Sequence, residues 1–115
     1  MQFEERQEGA VLVIRPLEKR LDAPVAQEFK QYMAGRVEAG HRLIALDLGE
    51  VEFVDSSGLS GIISLLKAVG ESGNVAIFGA GSQVSTLFRL TRMDRIFPMM
   101  AGVEEALALL IPVCR

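Results

Sequence analysis

Val54-Asp55-Ser56-Ser57-Gly58-Leu59-Ser60-Gly61-Ile62-Ile63 changes character halfway along. A short apolar run, Phe53-Val54, re-enters the core and ends at an acid and two serines. A glycine follows, and then Leu59, Ile62, Ile63, Leu66 and Val69 recur at helical spacing. The reading is a strand that gives way to a helix, with a carboxylate and two hydroxyls at the junction.

A serine at such a place has an ordinary use. As an N-cap or first-turn residue Ser57 would accept a backbone N–H, worth about 1 kcal/mol. Two features point further. No capping-box acid follows, because the residue three after Ser57 is Ser60. Gly61 also lies inside the helix, where glycine costs about 1 kcal/mol against alanine. Positions 57, 60, 61, 64 and 68 share one helical face, and they are Ser57, Ser60, Gly61, Ser64 and Ala68. A solvated face would carry Lys and Glu. A small, smooth face lets another backbone come close, so this one is read as a docking surface. A phosphate on Ser57 would add about −1.5 to −2 charges at a helix N-terminus, where the dipole favours an anion. The helix tolerates that charge. Asp55, and a partner shaped for a neutral hydroxyl, do not.

Working outward, Val75–Phe78 is a buried strand, and Gly79–Ser82 opens a helix carrying Val84, Leu87, Phe88 and Thr91 on one side. Ile96-Phe97 reads as a short extended run stopped by Pro98, and Val103–Ile111 as a closing helix with Glu104 and Glu105 set against its dipole. Towards the N-terminus, Leu43–Leu48 is a second buried strand. It is preceded by a helix from Asp22, suited to the N-cap, with Pro24 in its first turn and Gly40 as its stop. Val25, Phe29, Tyr32/Met33 and Arg36/Val37 mark that helix's spacing. Residues 2–8 and Ala10–Ile14 make a hairpin about Glu8-Gly9. Strands alternating with about four helices after a hairpin predict one α/β domain over residues 1–115, with a mixed, mostly parallel sheet.

Several chemistries are excluded. The only histidine, His41, precedes the strand 43–48, whereas Ser57 follows it, and six strand residues span about 20 Å. A Ser–His pair is thereby ruled against. Asp47 and Asp55 lack the neighbouring acidic pair of a Mg²⁺-assisted phospho-acceptor; Arg15 and Pro16 follow the first buried strand instead. Gly79-Ala80-Gly81-Ser82 lacks the third glycine of a dinucleotide loop and the Gly-Lys-Ser/Thr of a P-loop, so it reads as a tight turn. Arg89, Arg92 and Arg95 read as a solvated helix end, and Ser85 or Thr86 as a candidate second phosphorylation site. His41 and Cys114 are given no special role, and no metal-ligand spacing or cofactor is expected. A formal charge of −3 speaks against nucleic acid or an anionic membrane as partner. One cysteine, no signal-peptide core and no spanning run predict a cytoplasmic protein.

Phe53-Val54-Asp55-Ser56-Ser57-Gly58-Leu59 before an apolar helix resembles the signature of STAS domains, specifically bacterial anti-sigma factor antagonists. The resemblance covers nearly the whole chain: the hairpin, Leu21-Asp22-Ala23, Leu43–Leu48, Val75–Phe78, and Phe97 with Glu104-Glu105-Ala106-Leu107. It departs at Lys19, where the family often carries glycine. The resemblance implies a partner switch. The second serine of the motif, here Ser57, is phosphorylated by a partner that is both anti-sigma factor and serine kinase. The unphosphorylated form binds that partner and frees the sigma factor, and a PP2C-type phosphatase restores the hydroxyl. ATP and metal belong to those partners. Asp22 matches a position close to the serine. The expected partner-binding set is therefore Asp22, Asp55, Ser56, Ser57, Gly58, Ser60, Gly61 and Ser64. Two other readings stay open at this point. One is an unphosphorylated STAS subunit of a transporter-associated or scaffold complex, or a switch with a non-sigma output. The other is a nucleotide-binding domain using Gly79–Ser82.

Overall fold

Strand β2 (Val11–Pro16) is apolar on both sides because both sides are covered. In the computed structural model, which describes residues 1–110, it pairs antiparallel with β1 (Phe3–Glu8) and parallel with β4 (Leu43–Asp47). Beyond β4 lie β6 (Asn74–Phe78) and the two-residue β7 (Met99–Met100), both parallel, giving the order β1-β2-β4-β6-β7. A β-strand sends alternate side chains to opposite faces, so β2, β4 and β6 each feed two cores. Leu12, Ile14, Ile44, Leu46, Val75 and Ile77 point one way, where α1 (Ala23–Glu38), α2 (Ser56–Val69) and α3 (Ser82–Leu90) cover them. Val11, Val13, Ala45, Ala76 and Phe78 point the other way, under α4 (Val103–Leu110).

The expected hairpin, the parallel strands and the four helices are all present within a residue or two of their predicted bounds. Ile111, the last residue of the predicted closing helix, and Cys114 lie outside the described residues. Four details differ. The edge strand follows Pro98 rather than preceding it. Residues Met93–Arg95 form a 3₁₀ turn after Arg92, Ile96 is exposed, and the Ile77 N–H reaches the Pro98 carbonyl at 3.0 Å. Proline blocks only its own N–H, so it starts this strand where it was expected to stop one. On α2, Leu65 and the glycines 58 and 61 are buried with Ile62 and Val69, while Leu59, Ile63 and Leu66 sit half-buried at the stripe's edge. On α3, Thr91 is exposed and its hydroxyl donates back to the Leu87 carbonyl. Phe53 does not enter the core. It is exposed, with the Arg20 guanidinium 4.4 Å above its ring, and only Val54 is buried.

One pairing sets the geometry at the serine turn. The short strands β3 (Arg20–Leu21) and β5 (Phe53–Val54) run parallel, Arg20 beside Phe53 and Leu21 beside Val54. The N–H groups of Glu52 and Phe53 donate to the Lys19 carbonyl, and that of Asp55 to the Leu21 carbonyl. The chain therefore arrives at α1 and at α2 side by side and in the same direction.

Candidate functional site

That parallel approach places Asp22 and Asp55 at the N-caps of neighbouring helices. Asp22 occupies the N-cap expected of it, but its side chain makes no cap hydrogen bond. It pairs instead with Arg20 Nε at 3.0 Å. Asp55 serves both helices. Its Oδ1 accepts the Gly58 N–H at 3.0 Å, and its Oδ2 accepts the Ala23 N–H of α1 at 3.2 Å. A carboxylate accepting N–H groups at helix starts is favoured by charge as well as by hydrogen bonding.

Capping is thus removed from Ser57. It is the second residue of α2, half-buried, and its hydroxyl makes no hydrogen bond among the described residues. The same holds for the hydroxyls of Ser56 and Ser60, which are exposed. Among the described residues, these three hydroxyls at the head of one helix have no partner.

The small-residue face divides in two. A Cβ on Gly58 would collide with the Leu21 carbonyl, its carbon only 2.8 Å away, and one on Gly61 would lie 3.0 Å from Phe29 Cδ2. Both glycines are buried between α2 and the start and first turns of α1. Gly58 lets α2 sit close on β3 and Gly61 lets it sit close on α1, where a closer backbone approach is what glycine supplies. Ser56, Ser57 and Ser60 remain on the outside. With Lys30, Gln27 and Ala26 of α1 they line a shallow depression of about 350 Å³. Ser64 is half-buried one turn further on.

The other candidates resolve into structure. Asp47, buried, holds Arg15 Nε at 3.0 Å and the Gly49 N–H at 2.8 Å. That hydrogen bond and the charge of Asp47 raise the Arg15 pKa above its ordinary value. A larger hollow of about 540 Å³ on the α4 side is lined by Glu4, Arg15, Asp47 and Phe78. Its Arg15 is already matched to Asp47 and Glu4, so it offers a ligand little free charge. Gly79 turns at φ 74° beside Asp47, as a tight turn requires. The Ser85 hydroxyl donates to the Ala80 carbonyl, and Thr86 Oγ1 accepts from Arg89. Arg92 and Arg95 are exposed. No cluster of three His, Cys, Asp or Glu suited to a metal occurs among the described residues.

A five-stranded mixed sheet with helices on both faces and an acid–serine turn at the head of α2 is the arrangement of a STAS domain. The STAS family model matches residues 2–106, and the chain belongs to that family. Its relatives place it among the anti-sigma factor antagonists. It is 30% identical over 99 residues to a Thermotoga maritima protein provisionally named an anti-sigma factor antagonist, covering 84% of this chain and 87% of that one. A crystal structure from the same organism, of a protein provisionally so named, has TM-score 0.86 and 27% identity over 94% of this chain and 93% of that one. SpoIIAA, a Bacillus cell fate determinant solved in its phosphorylated form, shares the fold with TM-score 0.70 at 18% identity, over 94% of this chain and 98% of that one.

Proposed function

We propose that this chain is a phosphorylation-controlled partner switch: unphosphorylated at Ser57, it binds an anti-sigma factor that is also a serine kinase, and so frees a sigma factor. The observation that carries this reading is the idle Ser57 hydroxyl. Asp55 caps the helix in its place, and the side chain is left at the rim of a depression between α1 and α2. The hydroxyl of Ser56 is equally unused; the choice of Ser57 rests on its place as the second serine of the family motif. The likeness to relatives named as anti-sigma factor antagonists supports an anti-sigma factor as the partner. That the same fold exists in a phosphorylated form supports the compatibility of fold and phosphate.

Asp22, Asp55, Ser56, Ser57, Ser60 and Ser64 form or border the contact, and Gly58 and Gly61 act by seating α2 against β3 and α1 behind it. A phosphoserine places about −1.5 to −2 charges beside the Asp55 carboxylate and in the path of the docked partner. The chain itself performs no catalysis. ATP and metal belong to the kinase and to a PP2C-type phosphatase that reverses the modification. The setting of such a switch is cytoplasmic; separately, no described helix is long and apolar enough to cross a membrane.

Incubation with its partner anti-sigma factor kinase and ATP should add one phosphate by intact mass, and Ser57→Ala should abolish the addition. Ser57→Asp should weaken capture of the kinase. A phosphate that persists in Ser57→Ala, or undiminished capture by Ser57→Asp, would overturn the switch.

A further inference from the structure

We propose that Lys30 reads the phosphorylation state of Ser57 from within this chain, by pairing with the phosphate. The inference rests on Ser57 as the modified residue and concerns how the added charge is met. An anion at a helix start is ordinarily held by backbone N–H groups. Here Asp55 already takes one donor at the head of each helix: Gly58 N–H of α2 on Oδ1 and Ala23 N–H of α1 on Oδ2. The Asp55 carboxylate, at the N-cap two residues before Ser57, repels a phosphate there. A side-chain cation would offset that repulsion.

The charged groups around the turn are few. Asp55 stands at the N-cap of α2, and Asp22, at the head of α1, is spent on Arg20 at 3.0 Å. Glu52 lines a hollow on the α3 side with Gln83 and Val84, away from the serines. Glu28 of α1 pairs with the N-terminal ammonium. Lys30 alone among these charged groups lines the depression that holds Ser56, Ser57 and Ser60, and among the described residues it makes no ion pair or hydrogen bond. Its stem passes the spot a side chain at position 61 would occupy, its Cγ 3.6 Å from a Cβ built there. Glycine at 61 therefore leaves room for the lysine to lie across α2 towards the serines. Half-buried along its stem, with the ammonium unengaged, Lys30 is placed to swing onto a phosphate with little rearrangement.

The consequence is a measurable one. A phosphoserine loses its second proton near pH 6, and a cation a few ångströms away favours the dianion and lowers that midpoint. Phosphoserine is introduced at position 57 during translation, so no kinase is needed, and its ³¹P resonance is titrated in the wild-type, Lys30→Met and Lys30→Arg backgrounds. Lys30→Met retains a stem of similar shape over Gly61. It should raise the midpoint by roughly half a pH unit, about a threefold change in the ionisation constant, as expected for unit charges about 5 Å apart in water. Lys30→Arg should keep the wild-type midpoint, and melting of the unphosphorylated variants should match wild type. A midpoint unmoved by Lys30→Met, or one that rises equally in Lys30→Arg, overturns the proposal. Failure of the kinase to modify Ser57 would instead strike at the switch itself and leave this titration untouched, so the two failures are distinguishable.

Discussion

At the scale of single residues, Asp55 is the hinge on which both structure and site depend. One carboxylate oxygen serves the N–H of its own helix and the other serves α1, 32 residues earlier in the chain. Removing it to Ala leaves two helix starts uncapped, at about 1 kcal/mol each, so Asp55→Ala should lower unfolding stability by about 2 kcal/mol in a urea titration. Asn keeps one acceptor oxygen and replaces the other with a donor. With the retained oxygen on the Gly58 N–H, Asp55→Asn should therefore cost about half as much, and equal losses for the two variants would show that the cap of α2 contributes nothing. This residue also marks where reading the chain alone fell short. Asp55 was legible as an acid at a strand–helix junction, and Asp22 as the N-cap of α1. That the first helix borrows the acid at the head of the second follows from a contact between segments far apart in sequence, which no local pattern encodes. For the same reason the capping role first open to Ser57 could be withdrawn only once Asp55 was seen to fill it. The free hydroxyl that results is what the functional reading requires.

At the scale of elements, the seating of α2 against β3 and α1 explains the glycines in and just after the serine motif. Position 58 faces the rigid backbone carbonyl of Leu21, whose carbon is 2.8 Å from a built Cβ, and position 61 faces the ring of Phe29 at 3.0 Å. A backbone carbonyl in a paired strand cannot yield as a side chain can. Gly58→Ala should cost about 3 kcal/mol, at the upper end of overpacking losses. Gly61→Ala meets a milder clash and recovers about 1 kcal/mol of helix propensity, so it should cost roughly 1 kcal/mol or less. Thermal melts of the two variants should differ by several degrees in that order; the reverse order would place the tighter contact at Phe29. A face of Ser, Ser, Gly, Ser and Ala was legible as one made for close approach. The sequence does not say which backbone approaches, and the structure divides the face between α1 inside and open surface outside. The β3–β5 pair escaped for a related reason. Two residues per strand are too few for periodicity, and only their long-range register identifies them. The strands β2, β4 and β6, by contrast, are continuous apolar runs buried on both faces, and such runs announce themselves.

At the scale of the whole molecule, the sheet separates two jobs. The serine depression lies on the side of α1 and α2, whereas α4 packs on the opposite face over Ala45, Ala76 and Phe78. The residues at the centre of that second face are small and fully buried: Ala45, Ala76 and, from α4, Ala106. Small against small lets the helix lie close on the strands, and it leaves no room for a larger side chain. If the sheet acts as a rigid partition, a fault on the α4 face should reduce stability without altering the switch. Ala76→Leu tests this. It should destabilise by about 2 kcal/mol through overpacking, visible as a lowered urea midpoint with the slope unchanged. At a temperature where the variant remains folded, the rate at which the kinase phosphorylates Ser57 should equal that of wild type. A phosphorylation rate changed several-fold in the folded variant would mean that packing under α4 is felt at the head of α2. The sheet would then be a route of coupling between the two faces, and α4 a second place from which the switch is set.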